Sequence, residues 1–271
     1  MTMFRNELPR VYELRELIQS ANQADAYFED FDNSIRDEPC KKRVWLEREQ
    51  AWQKLDPDAW TFLKDKAQRY LTVKNSNGRG WQQLFDILNE AYAYNFLKDD
   101  GCSNVQFIQE SSLSSPDLKA EKNECKVLCE VKTINISDDE VFAFNEARKR
   151  REGTAIAITD PITGRPDPNI INKLARTVEY KLSAGFFNKL MSDIEAAKTQ
   201  IEAYADGANV RRIVYIIVNF DFWGEYKKWY YLQIDQYLAK NLPPGIEVVF
   251  LNQRTLFHEP ITMTSATVIN G

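Results

Sequence analysis

The sequence predicts an α/β protein that begins with a helical region. Three observations favour this fold class. Apolar side chains recur at helical spacing through residues 1–75, and the run Ile213–Val218 is typical of a buried strand. Residues 173–206 have helical composition with few helix-breaking residues. At 271 residues the chain has enough material for one large domain or two small ones.

The N-terminal region is predicted to contain at least three helices. The first carries one apolar face around Leu14, and the second extends from Val44 to Leu55. Pro57 fits the first turn of the third helix, where a backbone N–H would have no acceptor within the helix and its absence costs no hydrogen bond. No catalytic pattern is visible in this region, so its role is left open.

A stretch rich in turn residues, Asn75–Gly80, predicts a boundary between residues 1–75 and a second domain, residues 76–271. A helix follows it, with apolar residues at helical spacing up to Phe96. Further strands are predicted at Val105–Ile108, in two segments between residues 116 and 133, from Arg211 to Val218, and from Ile246 to Leu251.

Composition and charge restrict the chemistry. The formal net charge is −5, so any nucleic-acid binding must depend on a local basic patch. The longest apolar run is too short to cross a bilayer, and the first residues lack an apolar signal core, so we expect a cytoplasmic protein with no membrane partner. One histidine and four cysteines without paired spacing argue against zinc. Carboxylates, lysines and a hard cation are the expected chemistry.

An apolar strand that ends in Glu130-Val131-Lys132 is the most informative local pattern. Because side chains alternate along a strand, Leu128, Glu130 and Lys132 share one face, while small apolar residues suited to packing under a helix form the other. Pro116-Asp117 lies just upstream. Acid-x-Lys triplets are common in this chain, so a solvated strand edge remains the alternative to a site.

A hairpin that turns at Lys122-Asn123 would place Asp117 opposite Leu128 and diagonal to Glu130. The two carboxylates could then share one cation. We expect a one-residue shift of this turn to move Asp117 to the wrong face of the sheet. Crowded carboxylates repel each other unless a proton or a cation lies between them, and Mg²⁺ suits such oxygen ligands.

The order helix, strand, Pro-Asp, strand with Glu-x-Lys, long helix, strand resembles the PD-(D/E)xK nucleases, which have the restriction-endonuclease-like fold. The resemblance covers about residues 78–221. Glu90 stands on the leading helix, where many members carry a further acidic residue. Gln200 and Tyr204 match the Gln-x-x-x-Tyr motif of the recombination-exonuclease branch. This resemblance implies a central mixed β-sheet flanked by helices.

The resemblance also implies residue roles. Asp117 and Glu130 would bind Mg²⁺ or Mn²⁺, Glu90 would complete the metal site, and Lys132 would act on the attacking water and the phosphate. Asp86, one turn before Glu90, is a rival for its role. Residues that would contact the nucleic-acid substrate are Gln200, Tyr204, Arg148, Lys149, Arg150 and Arg151.

The resemblance therefore predicts a metal-dependent nuclease that hydrolyses phosphodiester bonds, with DNA as the expected substrate. The alternative is a nuclease-like module that binds nucleic acid or protein with little catalysis. Whether cleavage is endo- or exonucleolytic, whether RNA is cut, and whether the chain forms a homodimer are left open. The four cysteines do not reproduce the iron–sulfur pattern of some relatives in the exonuclease branch.

Overall fold

The computed structural model describes residues 4–18, 28, 31–72, 82–109, 115–135, 182–207, 209–219 and 227–252. These residues form seven helices and one five-stranded mixed sheet, which confirms the predicted α/β class. The helices are α1 (Pro9–Ile18), α2 (Phe31–Asp37), α3 (Pro39–Gln53), α4 (Pro57–Gln68), α5 (Gln82–Asp99), α6 (Ala184–Tyr204) and α7 (Lys227–Asn241). The strands are β1 (Ser103–Phe107), β2 (Leu118–Lys122), β3 (Cys125–Asn135), β4 (Val210–Asn219) and β5 (Glu247–Asn252). None of the described helices has the length and apolarity needed to span a bilayer.

The start of α4 forms as the sequence predicts. Asp56 caps the helix, because its carboxylate accepts a hydrogen bond from the backbone N–H of Ala59 at 2.9 Å. Pro57 occupies the first turn. Helices α2 and α7 were not predicted, since α2 is a single short helix with only Phe31 and Ile35 buried, and α7 lies in a segment without clear apolar spacing.

The strands are ordered β1-β2-β3-β4-β5. β1, β2 and β3 pair antiparallel, whereas β3, β4 and β5 pair parallel. The connections from β3 to β4 and from β4 to β5 proceed in the same direction across the sheet. Right-handed crossovers therefore bring α6 and α7 to the same face.

The sheet separates two hydrophobic cores. On one face, β3 packs through Val127 and Cys129 against α5 and the N-terminal helices. On the other face, Leu128 packs with buried residues of α6 and α7. The core on the first face includes residues from both sides of the predicted boundary, whereas Asn75–Gly80 itself lies outside the described residues. The division at that boundary stays a prediction.

The β2–β3 hairpin differs from the predicted register. Its turn lies at Asn123-Glu124, both with positive φ, and Leu118 pairs with Cys129. Asp117, just before β2, is therefore level with Glu130 rather than diagonal to it. Moving a turn by one residue shifts the pairing by two residues, so the predicted change of face does not follow and Asp117 stays on the face of Glu130.

Candidate active site

Four elements contribute polar side chains to one rim of the sheet, at the end of β3 nearest α6. Asp117 precedes β2, Glu130 and Lys132 project from β3, Glu90 projects from α5, and Gln200 projects from α6. Of the predicted residues, these five are close enough to interact, either directly or through a shared partner.

Asp117 and Glu130 form the centre of the site. Asp117 Oδ2 accepts a hydrogen bond from the backbone N–H of Val131 at 2.9 Å, which fixes its carboxylate against β3. The Asp117 and Glu130 carboxyl groups are neighbours, close enough for the charge of one to act on the other. Burial, together with the charge of Asp117, raises the pKa of Glu130 to about 8, against the opposing effect of Lys132. The site therefore favours a proton or a cation between these groups.

Lys132 is held in place by two partners. Its Nζ donates to Glu130 Oε1 at 2.6 Å and to Gln200 Oε1 at 3.5 Å. Gln200 Nε2 in turn donates to the backbone carbonyl of Ser115 at 2.8 Å, so α6 is tied to the segment that carries Asp117. The Lys132 side chain is 25% exposed, which leaves its ammonium accessible to a ligand at the rim.

Lys66 is a residue of the site that the sequence analysis missed. It lies on α4, in the region where no catalytic pattern was recognised, and its side chain is only 9% exposed. Its Nζ donates to Glu90 Oε1 at 2.7 Å and to Asp117 Oδ1 at 3.5 Å. The available signal was its position three residues after Leu63, on the apolar face of a helix, where a lysine needs a buried partner.

Two carboxylate oxygens in the site are buried without a hydrogen-bond partner among the described residues. They are Oε2 of Glu90 and Oε2 of Glu130. For Glu90, burial and the nearby charge of Asp117 raise the pKa, while Lys66 opposes the shift. An orphaned buried carboxylate oxygen is costly, so each one indicates an unfilled interaction.

The donor chemistry fits a hard cation. Carboxylate oxygens are the ligands that Mg²⁺ and Mn²⁺ take, usually with several waters and a substrate phosphate in the remaining positions. The described residues contain no preformed cluster of three or more metal-ligating side chains. A cation held by Glu90, Asp117 and Glu130 would therefore depend on waters and substrate for the rest of its coordination.

Asp86, the rival for the role of Glu90, lies in a different environment. It hydrogen-bonds with Thr133, whose Oγ1 also accepts from Asn89 Nδ2 at 3.2 Å. Burial raises the pKa of Asp86 to about 7. The charges of Asp117 and Glu130 act on Glu90, whereas the groups that act on Asp86 are Thr133 and Lys189, so Glu90 is the α5 carboxylate that joins the site.

Tyr204, one turn after Gln200 on α6, contacts a different part of the sheet from Gln200. Its ring is 5.2 Å from Lys126 Nζ, beside an open groove of about 850 Å³ at the β2–β3 hairpin. Lys119 also lines this groove, and the pairing places Lys119 and Lys126 on the face of Asp117 and Glu130. The predicted basic run Arg148–Arg151 lies outside the described residues.

Comparison of the chain with protein-family models, with curated proteins and with solved structures finds no match. The function of the protein is therefore inferred from the residues of the rim and from their geometry. The chemistry of those residues is specific enough to support a proposal.

Proposed function

We propose that the protein is a metal-dependent nuclease that hydrolyses phosphodiester bonds, with DNA as its expected substrate. One observation carries the proposal. Glu90, Asp117, Glu130 and Lys132 come from three separate elements to one rim of the sheet, and two of the three carboxylates keep a buried oxygen that has no hydrogen-bond partner among the described residues. Asp86 Oδ1 is orphaned in the same way outside the site, so it is the crowding of three carboxylates and a lysine around the orphaned oxygens that supports a bound cation.

The topology supports assignment to the restriction-endonuclease-like fold. The resemblance of the sequence to PD-(D/E)xK nucleases implies a mixed sheet with helices on both faces. The antiparallel β1-β2-β3 unit followed by parallel β4 and β5 is compatible with that fold. Asp117 of Pro-Asp, just before β2, is level with Glu130 of Glu-x-Lys on β3, a placement that would allow the two carboxylates to share a cation.

Glu90, Asp117 and Glu130 are the residues that would hold Mg²⁺ or Mn²⁺. When bound, such a cation would neutralise charge on the scissile phosphate and lower the pKa of a bound water. Backbone and side-chain contacts already orient two of these ligands, since Val131 N–H holds Asp117 and Lys132 holds Glu130. Little reorganisation would then be needed when the ligand binds.

Lys132 would act on the reacting groups. In hydrolysis a water oxygen attacks phosphorus, the bond from phosphorus to the leaving oxygen breaks, and the leaving oxygen takes up a proton. The Lys132 ammonium would stabilise the negative charge that develops on the phosphate and orient the attacking water. Gln200 would keep Lys132 aimed at the rim through its contact with Oε1.

The groove at the hairpin favours the interpretation that the substrate is a polymer rather than a small phosphodiester. Lys119 and Lys126 are suited to phosphate contacts, and Tyr204 could stack against a base. They lie on the sheet face that carries the carboxylates. A nucleic-acid strand could thus contact the groove and the rim together, which would provide the local basic patch that a chain of net charge −5 needs.

A second candidate function is a nuclease-like module that binds nucleic acid or protein without cutting. The contact of Lys66 with Glu90 and Asp117 favours it, because an internal ammonium neutralises part of the carboxylate charge without any metal. Retention of all four polar residues favours the enzyme.

Single-turnover cleavage beside equilibrium binding separates the two candidates. Single- and double-stranded DNA and RNA would be incubated with wild type and with Lys132→Ala, in Mg²⁺, in Mn²⁺ and in chelator. For a nuclease we expect Lys132→Ala to bind normally and to cut slower by a factor on the order of 10²–10³. Lys132→Arg should rescue poorly, since the larger planar guanidinium cannot take the place of an ammonium that contacts both Glu130 Oε1 and Gln200 Oε1. Binding by wild type without cleavage above Lys132→Ala in any metal would favour the non-catalytic module.

A further inference from the structure

The two glutamates of the site are held in the same way by two lysines. Glu130 Oε1 accepts from Lys132 and Glu90 Oε1 accepts from Lys66, at 2.6 and 2.7 Å. In both glutamates Oε2 is the oxygen that has no partner in the part of the chain that the structure describes. Lys66 differs in one respect, because its ammonium also contacts Asp117 and so lies between two of the three carboxylates that would bind a cation.

The position of Lys66 is set by the packing of α4. Asp56 caps this helix and also accepts a hydrogen bond from the hydroxyl of Tyr94 on α5. One turn before Lys66, Phe62 stacks on Phe107 of β1, with ring centroids 5.5 Å apart. Since the start and the middle of α4 are anchored to the elements around the site, the packing of the N-terminal region sets the position of the ammonium.

We propose that Lys66 is an internal cation of the site, which competes with the divalent metal ion for Glu90 and Asp117. Through this residue the N-terminal helical region would limit metal occupancy until nucleic acid binds. The inference deepens the proposed function and rests on it for the identity of the metal site. It also assigns a role to residues 1–75, for which the sequence suggested none.

Electrostatics gives the direction of the effect. A cation that reaches the same carboxylates must either displace the ammonium or lie within several ångströms of it. Like charges a few ångströms apart repel each other, more strongly near a protein surface than in water, and more strongly still if one ion is divalent. A substrate phosphate adds negative charge that offsets this repulsion. Metal binding by wild type should therefore be weak alone and stronger with nucleic acid.

The test is the affinity for Mn²⁺ in the absence of nucleic acid, measured by electron paramagnetic resonance and by calorimetry. The variant is Lys66→Met, which keeps the length of the side chain and removes its charge. The matched control is Lys64→Met, on the same helix, where the lysine pairs with Glu13 at 3.0 Å, away from the site. We expect Lys66→Met to bind Mn²⁺ at least about tenfold more tightly than wild type, and the control to bind like wild type.

Thermal unfolding provides a second readout that does not depend on cleavage. Removal of Lys66 leaves buried carboxylates without their counter-charge, so Mn²⁺ should raise the unfolding temperature of Lys66→Met more than that of wild type. Lys66→Gln, which retains a hydrogen-bond donor, should behave similarly. Variants that fold only with Mn²⁺ would also support the proposal, because the metal would have replaced the ammonium.

Equal or weaker Mn²⁺ binding by Lys66→Met and Lys66→Gln would overturn the proposal, as would variants that do not fold even in Mn²⁺. If Mn²⁺ binds neither wild type nor either variant, the proposal is overturned as well. The proposed nuclease activity is measured separately, as cleavage by wild type at saturating Mn²⁺. Cleavage with unchanged Mn²⁺ affinities would reject only the role of Lys66, whereas shifted affinities without cleavage would reject only the nuclease.

Discussion

Glu49 and Glu130 are buried to almost the same degree, with 1% and 3% exposure, yet their surroundings are opposite. Glu49 is on α3, and its carboxylate accepts hydrogen bonds from two backbone N–H groups at the start of α1, those of Arg10 at 3.0 Å and Val11 at 2.9 Å. The Gln53 side chain donates to the same carboxylate. At the rim of the sheet, Glu130 has Asp117 beside it, and no described residue hydrogen-bonds to its Oε2.

The difference separates a structural carboxylate from a functional one. Glu49 satisfies the free N–H groups at the beginning of a helix, so its charge stabilises the fold. Glu130 and Glu90 crowd a third carboxylate with their hydrogen-bonding capacity unfilled, which destabilises the fold unless a proton or cation is present. The exposed fractions of Glu49, Glu90 and Glu130 are too similar to separate a structural glutamate from a functional one. The number of hydrogen bonds that each carboxylate accepts does separate them.

Replacing Glu49 should affect stability and leave the chemistry unchanged. Glu49→Ala leaves the buried N–H of Val11 and the part-buried N–H of Arg10 unsatisfied, at about 1–3 kcal/mol each, so we expect a loss of roughly 2–6 kcal/mol in the free energy of unfolding. Urea unfolding measures this loss, and cleavage per folded molecule should match wild type. If Glu49→Ala had normal stability and impaired cleavage, Glu49 would be a functional residue and its contrast with the rim would be wrong.

The rim should make the metal-free protein less stable as the pH rises. Between the ordinary carboxyl pKa of 4.5 and about 8, folded Glu130 keeps a proton that the unfolded chain releases. Unfolding then releases a proton, so its free energy falls through this window and levels off above pH 8. Glu130→Gln cannot titrate, and in chelator its stability should fall less with pH than that of wild type.

Urea unfolding of both proteins at several pH values between 4.5 and 8.5 measures the difference. The Glu49→Gln variant is the matched control, because it alters a carboxylate of similar burial outside the rim. Parallel stability profiles for wild type and Glu130→Gln would show that Glu130 carries no unfavourable charge.

The smallest expected effect concerns the groove. If Lys119 and Lys126 contact phosphates, changing each to alanine should weaken nucleic-acid binding and reduce the salt dependence by about one unit of slope per lost contact. Lys122→Ala is the control, because this lysine lines the same groove but belongs to the opposite face of the hairpin and pairs with Asp100 at 2.9 Å. Equal slopes for all variants would exclude the groove from substrate binding.

Local patterns were enough to predict the strands and the face of the site. Alternation along β3 predicted that Glu130 and Lys132 share a face, and Pro116-Asp117 marked the neighbouring strand. The exact partner of Asp117 was wrong, because it depends on whether the turn forms at Asn123-Glu124 or one residue earlier. Neighbouring polar residues in a turn differ little in energy, so sequence alone does not decide between them.

The contribution of α4 could not be predicted, because it depends on contacts between distant residues. Lys66 and Asp117 are 51 positions apart, and only the docking of α4 on α5 and β1 brings them together. The choice between Asp86 and Glu90 is of the same kind. Both are on α5 one turn apart, and the position of the helix along the sheet decides which carboxylate reaches Asp117.

Cleavage by Asp117→Asn tests the central claim most directly, since Asp117 contacts Val131, Glu130 and Lys66 at the centre of the rim. The substitution keeps the shape of the side chain and removes its charge. We predict that wild type cuts DNA in Mg²⁺ or Mn²⁺ and not in excess chelator, and that Asp117→Asn folds normally without cutting. Full activity of Asp117→Asn, or of wild type in excess chelator, would contradict the assignment of the rim as a metal-dependent nuclease site.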